Sequence, residues 1–133
     1  MNGAGMSRQA FNIMGKIREV DELMQPNLQD RVFEAHPELA LVGLAGRPMR
    51  HKKKTPAGWQ EREVLVAPSF GRHYMGPSQV LDRFGRSCLA TDDVLDAYAL
   101  AITAERIHTG SAVRLPESEP DRDARGLRIE IWY

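Results

Sequence analysis

Cysteine is nearly missing from this sequence, and long apolar runs and a net charge are missing altogether. A single cysteine, Cys88, excludes an internal disulfide framework and argues against a cysteine-based structural zinc site. No apolar run reaches the length of a membrane span, and the Gly-rich first residues lack the layout of a signal peptide. These features predict a protein of a reducing, cytoplasmic setting with no membrane partner.

Net charge and chain length limit the possible partners and the number of domains. Eighteen basic residues balance 18 acidic ones, so any attraction to nucleic acid must come from local clusters. A chain of 133 residues with 42% hydrophobic residues is predicted to form one globular domain over residues 1–133.

Apolar spacing and helix-breaking residues predict a chain that is mostly helical. The first segment has three-and-four spacing, with Ser7 as N-cap, and the last is Ala-rich and stopped by Gly110. Between them, Pro56 and Gly58 are interpreted as breaks in structure. The predicted helices are Ser7–Met24, Leu39–Leu44, Trp59–Ala67, Pro77–Phe84 and Thr91–Thr109.

The residue pattern predicts only two strands. Arg31–Glu34 is a short candidate, and Leu127–Tyr133 alternates so that Leu127, Ile129 and Ile131 would lie on one buried face. Two such strands cannot make a stable sheet alone. Either further strands escape detection, or something outside this chain completes the sheet.

The segment that begins at Thr91 contains the most informative carboxylates. Thr91 could cap the helix, and the helix dipole favours Asp92 and Asp93 in its first turn. Asp96 lies beyond that turn, in a run of apolar and small residues that predicts burial on most of the helix. A buried carboxylate needs a cation, an arginine or backbone donors. Asp93 and Asp96, three residues apart, could share one metal ion.

That predicted helix and the rest of the chain supply further candidates. Small residues at Ala97, Ala101 and Ala104 would let a sheet approach closely, and Glu34 could add a third oxygen ligand from a strand end. Carboxylate oxygens suit Mg²⁺, and such ions can drive phosphodiester hydrolysis. The basic run Arg50–Lys54 is either a solvated loop or a phosphate contact.

Several motifs resemble one bacterial-type family, the domain of unknown function 429, described as predicted nucleases of the ribonuclease H-like fold. Asp93-x-x-Asp96-Ala97 also resembles the last catalytic helix of the Holliday-junction resolvase branch of that superfamily. The motifs occur in the family's order along nearly the whole chain. They are Ser7–Ile13 with Ile17–Asp21, Glu34–Glu38, Lys53–Thr55 with Gly58 and Arg62, Asp92–Ala97, and Gly126–Ile131.

The resemblance implies an α/β, ribonuclease H-like fold and a role for each matching position. Glu34, Asp93 and Asp96 would be the catalytic carboxylates that hold Mg²⁺ or Mn²⁺, with Asp92 as a substitute. The residues implied to line the same cleft, where nucleic acid would bind, are His36, Glu38, Lys53 and Lys54.

One departure from the family pattern qualifies this expectation. The family begins with a strand that carries a first aspartate, and nothing in Met1–Met24 resembles that strand. The resemblance therefore implies the C-terminal part of the fold, without its N-terminal strands, and an incomplete metal-dependent nuclease. The alternatives are a non-catalytic module that pairs with itself or another chain through an open sheet edge, and a protein that binds a nucleotide without hydrolysing it. DNA and RNA are equally compatible substrates.

Overall fold

Helices dominate the computed structural model, which describes residues 8–133. The helices are α1 (Arg8–Leu23), α2 (Pro37–Ala45), α3 (Pro56–Phe70), α4 (Pro77–Phe84) and α5 (Thr91–Thr109). The strands β1 (Arg114–Leu115) and β2 (Ile131–Trp132) pair antiparallel, with Arg114 opposite Trp132. The described chain is therefore helix-rich with a small sheet, within the mixed α/β class.

The chain divides into two compact units. One comprises Met1–Phe33, described from Arg8 onward, together with Asp121–Ile129. The other comprises Glu34–Pro120 and Glu130–Tyr133. All the carboxylates, lysines and histidines singled out for function belong to this second unit.

The first unit contains α1 and a segment that returns to it near the C-terminus. The predicted amphipathic helix is confirmed, although its proposed cap, Ser7, lies outside the described residues. The side-chain amide of Gln29 exchanges two hydrogen bonds with the backbone of Arg128, at 3.0 and 2.7 Å. Arg125 donates to the carbonyls of Asp21 and Met24 at the end of α1. These polar contacts fasten the segment 121–129 within this unit.

Three helices enclose the core of the second unit. Its fully buried members come from α2, α3 and α5, and aromatic side chains such as Phe70 and Tyr98 pack against them. The ring centroids of Phe70 and Tyr98 lie 4.6 Å from each other. At the end of β2, the ring of Tyr133 lies against Gly43, where an added Cβ would come within 2.5 Å of it. The buried residues of this core cluster are Ala40, Leu41, Val66, Leu95, Ala99 and Ile102.

The strand predictions need correction. Residues 31–34 form no strand, and the next residue, Ala35, makes a single parallel bridge with Trp132. The predicted C-terminal strand is reduced to β2, and its partner β1 was missed because only two residues pair. The predicted buried face is also wrong, because Ile129 is exposed whereas Glu130 is buried near Arg114, at 3.6 Å.

Helix α3 begins three residues earlier than the predicted helix Trp59–Ala67. Pro56 and Gly58 do not break structure; they begin the helix. Proline at the first helical position loses no hydrogen bond, and Thr55 caps the helix by accepting a bond from the Gly58 N–H at 3.1 Å. The other predicted helices, α2, α4 and α5, are confirmed, and Gly46 and Gly110 end α2 and α5 in the left-handed conformation.

Burial on α5 is more one-sided than the sequence suggests. Its inner face carries Leu95, Ala99 and Ile102, whereas the three small residues expected to face a sheet, Ala97, Ala101 and Ala104, are exposed. The reason is that α5 packs on helices α2, α3 and α4. Among residues 8–133, no helix has both the length and the apolar character needed to cross a membrane.

Two valines on opposite faces of α3 test where the core lies. Val66 is 0% exposed and Val64, one half-turn earlier on α3, is 61% exposed. We expect Val66→Ala to lower the free energy of unfolding by about 2 kcal/mol, because two buried methyl groups are lost and a cavity remains. Val64→Ala should change it by less than about 0.5 kcal/mol. Equal losses in urea denaturation would contradict this core.

Candidate functional site

The basic run Arg50–Lys54 is a loop held directly over the first turn of α3. Thr55 closes it by donating to the Lys52 carbonyl at 2.8 Å. The same carbonyl lies so close to Gly58 that an added Cβ would come within 2.0 Å of it. Glycine is therefore required at this position by the contact between loop and helix, not by its own backbone angles.

Glu61 on α3 fastens the other end of the loop. Its carboxylate accepts hydrogen bonds from the backbone N–H groups of Arg50 and His51, at 2.9–3.0 Å, and from the Arg47 guanidinium at 2.9 Å. The Arg50 N–H contributes most to lowering the pKa of Glu61 from 4.5 to about 2, with smaller contributions from Arg47 and His51, against the opposing effect of burial. The loop is thus anchored by an ionised carboxylate at any pH above that value.

Arg62 joins three parts of the second unit. Its side chain is only 2% exposed and binds both carboxylate oxygens of Glu38 on α2, at 2.9 and 2.7 Å. It also donates to the carbonyls of His51 and Gly58, at 3.3 and 2.9 Å. The hydrogen bonds that Arg62 donates to Glu38 raise the pKa of Arg62 above its usual value, and the nearby charge of Asp96 acts in the same direction. This guanidinium therefore fixes loop, α2 and α3 together as a permanent cation.

Lys53 turns away from its basic neighbours and towards α5. Its ammonium lies 2.5 Å from Oδ2 of Asp96 and 3.9 Å from Oδ2 of Asp92. The two aspartates are four residues apart, so they lie on one face of α5. All three side chains are half-buried, so solvent screens their charges less than it screens those of fully exposed pairs. We call these three residues the Lys53 cluster.

One oxygen of the Lys53 cluster has no hydrogen-bond partner. Oδ1 of Asp96 is inaccessible to solvent, and no donor of the described residues reaches it. A buried carboxylate oxygen without a donor or cation is unfavourable by roughly 1–3 kcal/mol or more. Asp96 thus has one oxygen occupied by Lys53 and one available to another cation or donor.

The predicted site residues are only partly brought together. Asp96, Asp92 and Lys53 converge, and Glu38 lies beside them through Arg62. Asp93 is exposed and accepts a hydrogen bond from the Ala90 N–H at 2.9 Å, so it has the helix-start role considered for it. Ala90, rather than Thr91, occupies the N-cap position.

The remaining predicted residues face solvent. Lys54 and His36 are exposed, and His36 occupies the N-cap position of α2. Glu34 is exposed as well and lies on no strand end; its carbonyl accepts a hydrogen bond from the Trp132 N–H at 2.8 Å. Their parts in catalysis or nucleic-acid contact stay predictions.

Metal ligation can be judged from the donor set. Within the described chain, no three side chains among histidine, cysteine, aspartate and glutamate are grouped so that they could hold a metal ion. Two carboxylates do converge on one cation, the Lys53 ammonium. Mg²⁺ is commonly held by one or two protein carboxylates together with water and substrate phosphate. Asp92 and Asp96 suit that kind of site, and the unpartnered oxygen of Asp96 is compatible with it.

Glu61 is the residue that the sequence reading missed. Its importance follows from contacts with backbone N–H groups, which no side-chain motif reveals. A signal was nevertheless present in the spacing of Thr55, Gly58, Glu61 and Arg62, since positions three and four apart share a helix face.

The fold and site together define a helix-rich α/β protein in which a lysine–aspartate cluster lies beside an anchored basic loop. The chain belongs to the family described as protein of unknown function (DUF429), whose model matches residues 1–121. No curated protein and no solved structure matches the chain.

The buried ion pair generates a stability prediction. Glu38→Gln should lower the free energy of unfolding by about 3 kcal/mol, because it leaves the Arg62 cation buried without its counter-charge. The exposed pair of Arg86 and Asp82 provides the control, and Asp82→Asn should cost less than about 1 kcal/mol. Chemical denaturation measures both values, and a Glu38→Gln loss as small as the control would contradict the importance of this pair.

The depressed pKa of Glu61 generates a pH prediction. Because folding lowers this pKa from 4.5 to about 2, Glu61 contributes stability above pH 4.5 that is lost as the pH falls towards 2. Wild type should therefore exceed Glu61→Gln in stability by a margin that is constant above pH 5.5 and shrinks between pH 4.5 and pH 2. Denaturation across this range measures the margin, and a pH-independent margin would contradict the assignment.

Proposed function

We propose that this chain carries the metal site of a metal-dependent nuclease of ribonuclease H-like type, which hydrolyses phosphodiester bonds. The observation that carries the proposal is the convergence of Asp92 and Asp96 on one cation, with Oδ1 of Asp96 buried and unpartnered. Two carboxylates can supply part of the oxygen ligands of a hard divalent cation, with water and substrate phosphate supplying the rest. The resemblance of Asp93-x-x-Asp96-Ala97 to a catalytic helix supports the role of Asp96.

The ion would be Mg²⁺ or Mn²⁺, held by Asp96 and Asp92. When bound, such an ion lowers the pKa of a coordinated water and neutralises charge that develops on a phosphate. Glu34 and Asp93 are the further ligands that the family resemblance implies. In the described structure, however, Asp93 already accepts a hydrogen bond at the helix start, so Asp92 is the better companion of Asp96.

Nucleic acid would be held by the basic loop. Its exposed side chains, including Arg50, His51 and Lys54, project from a backbone that Glu61 and Gly58 fix in place. Such a loop contacts phosphates irrespective of base sequence, and binding should weaken as salt concentration rises. Because the backbone of the loop is anchored before binding, less conformational entropy is lost when a nucleic acid docks.

Thermal unfolding with Mn²⁺ tests the metal site, and cleavage of single- and double-stranded DNA and RNA tests the activity. Mn²⁺ should stabilise the wild type by about 2.7 kcal/mol at a hundred times its dissociation constant, and support cleavage. Asp96→Asn and Asp92→Asn should abolish both effects. Asp93→Asn is the matched control and should retain the Mn²⁺ response. A wild type that neither binds Mn²⁺ nor cleaves any substrate would refute the proposal.

A further inference from the structure

Lys53 occupies the position that the proposed function assigns to a divalent cation. Its ammonium makes the closest contact to Asp96 and is the cation shared with Asp92. With Lys53 in place, one formal negative charge remains on the cluster; when Lys53 leaves, two remain. An ammonium and a divalent ion cannot both be the near partner of these two carboxylates without repelling each other.

The Lys53 side chain can also turn outward to solvent. It belongs to the basic loop, whose other side chains are exposed, and about a third of its own side chain is accessible. A flexible four-carbon stem lets the lysine ammonium change direction without movement of the backbone. The Lys52 carbonyl is held against Gly58 and the Lys54 side chain is exposed, so the loop needs no rearrangement for Lys53 to turn outward.

We propose that Lys53 couples the divalent ion to the phosphate backbone of a nucleic acid. This inference rests on the proposed function. In the free protein Lys53 offsets one of the two negative charges of Asp92 and Asp96 and competes with the ion. When the ion binds, it displaces Lys53, which then becomes available to a phosphate; a phosphate that attracts Lys53 likewise exposes the carboxylates to the ion. Because linkage is reciprocal, each ligand must tighten the binding of the other by the same factor.

The other charges around the cluster support an exchange confined to Lys53. Arg62 cannot replace it, because both oxygens of Glu38 and the carbonyls of His51 and Gly58 hold the guanidinium in place. Lys54 is exposed and makes no ion pair in the described structure, so it is free to contact phosphate before and after the exchange. Lys53 is thus the one side chain of the loop that changes partner, from the two carboxylates to a phosphate.

The first experiment measures Mn²⁺ affinity by calorimetry on the full chain. Lys53→Met should bind Mn²⁺ about three- to tenfold more tightly than the wild type, because the competing cation is gone. Lys53→Gln is a second neutral variant with the same expected direction, should Lys53→Met fold poorly. Lys53→Arg, which keeps the charge, and Lys54→Met, which removes the neighbouring charge, should both resemble the wild type.

The second experiment repeats the titration in the presence of a short phosphorothioate oligothymidylate, which resists cleavage. The oligonucleotide should tighten Mn²⁺ binding to the wild type and to Lys54→Met, and should have no such effect on Lys53→Met. An oligonucleotide with an uncharged methylphosphonate backbone should produce no tightening in any variant, because it offers Lys53 no negative charge.

The outcomes separate this inference from the proposed function. Equal Mn²⁺ affinity in the wild type and both neutral Lys53 variants would overturn the role of Lys53 while leaving the metal site intact. Weaker binding in those variants would also overturn it, because Lys53 would then assist the ion. Absence of Mn²⁺ binding in every chain, Asp96→Asn included, would refute the metal site and the inference together.

Discussion

The buried guanidinium of Arg62 is the interaction on which the second unit depends. A cation this far from solvent must be compensated completely, and Glu38 together with two backbone carbonyls provides that compensation. The consequence is geometric as well as energetic, because α2, α3 and the basic loop have to meet at one point. Through the His51 carbonyl, this polar junction helps to hold the basic loop against α2 and α3.

Local chemistry made the helices predictable. The end points of α4 and α5 follow from Pro77, from the Ala-rich run and from Gly110, all of which act through their immediate neighbours. The strands could not be found in the same way, since β1 and β2 pair over two residues only. At Pro56 the sequence was ambiguous, because proline ends one element and begins another with equal ease.

The sequence shows that Asp96 needs a cation, but it does not show that the cation is Lys53. Asp96 could be recognised as a carboxylate in apolar surroundings that needs a cation. Which cation it meets depends on the path of the loop, and that path is fixed by contacts of Glu61 and Gly58 with backbone atoms. Similarly, Asp93 is exposed whereas Asp92 is half-buried, a difference that depends on which face of α5 packs on the other helices.

The carbonyl of Lys52 pressed against Gly58 has a further consequence. Even a single methyl group at position 58 would collide with backbone, and backbone cannot move aside as a side chain can. The order Thr-Pro-x-Gly-x-x-Glu-Arg, from Thr55 to Arg62, is therefore a sequence motif for this arrangement of loop and helix. A chain of otherwise unrelated sequence that contains it would be expected to hold a loop at the same angle to its helix, which gives a practical criterion for recognising this arrangement elsewhere.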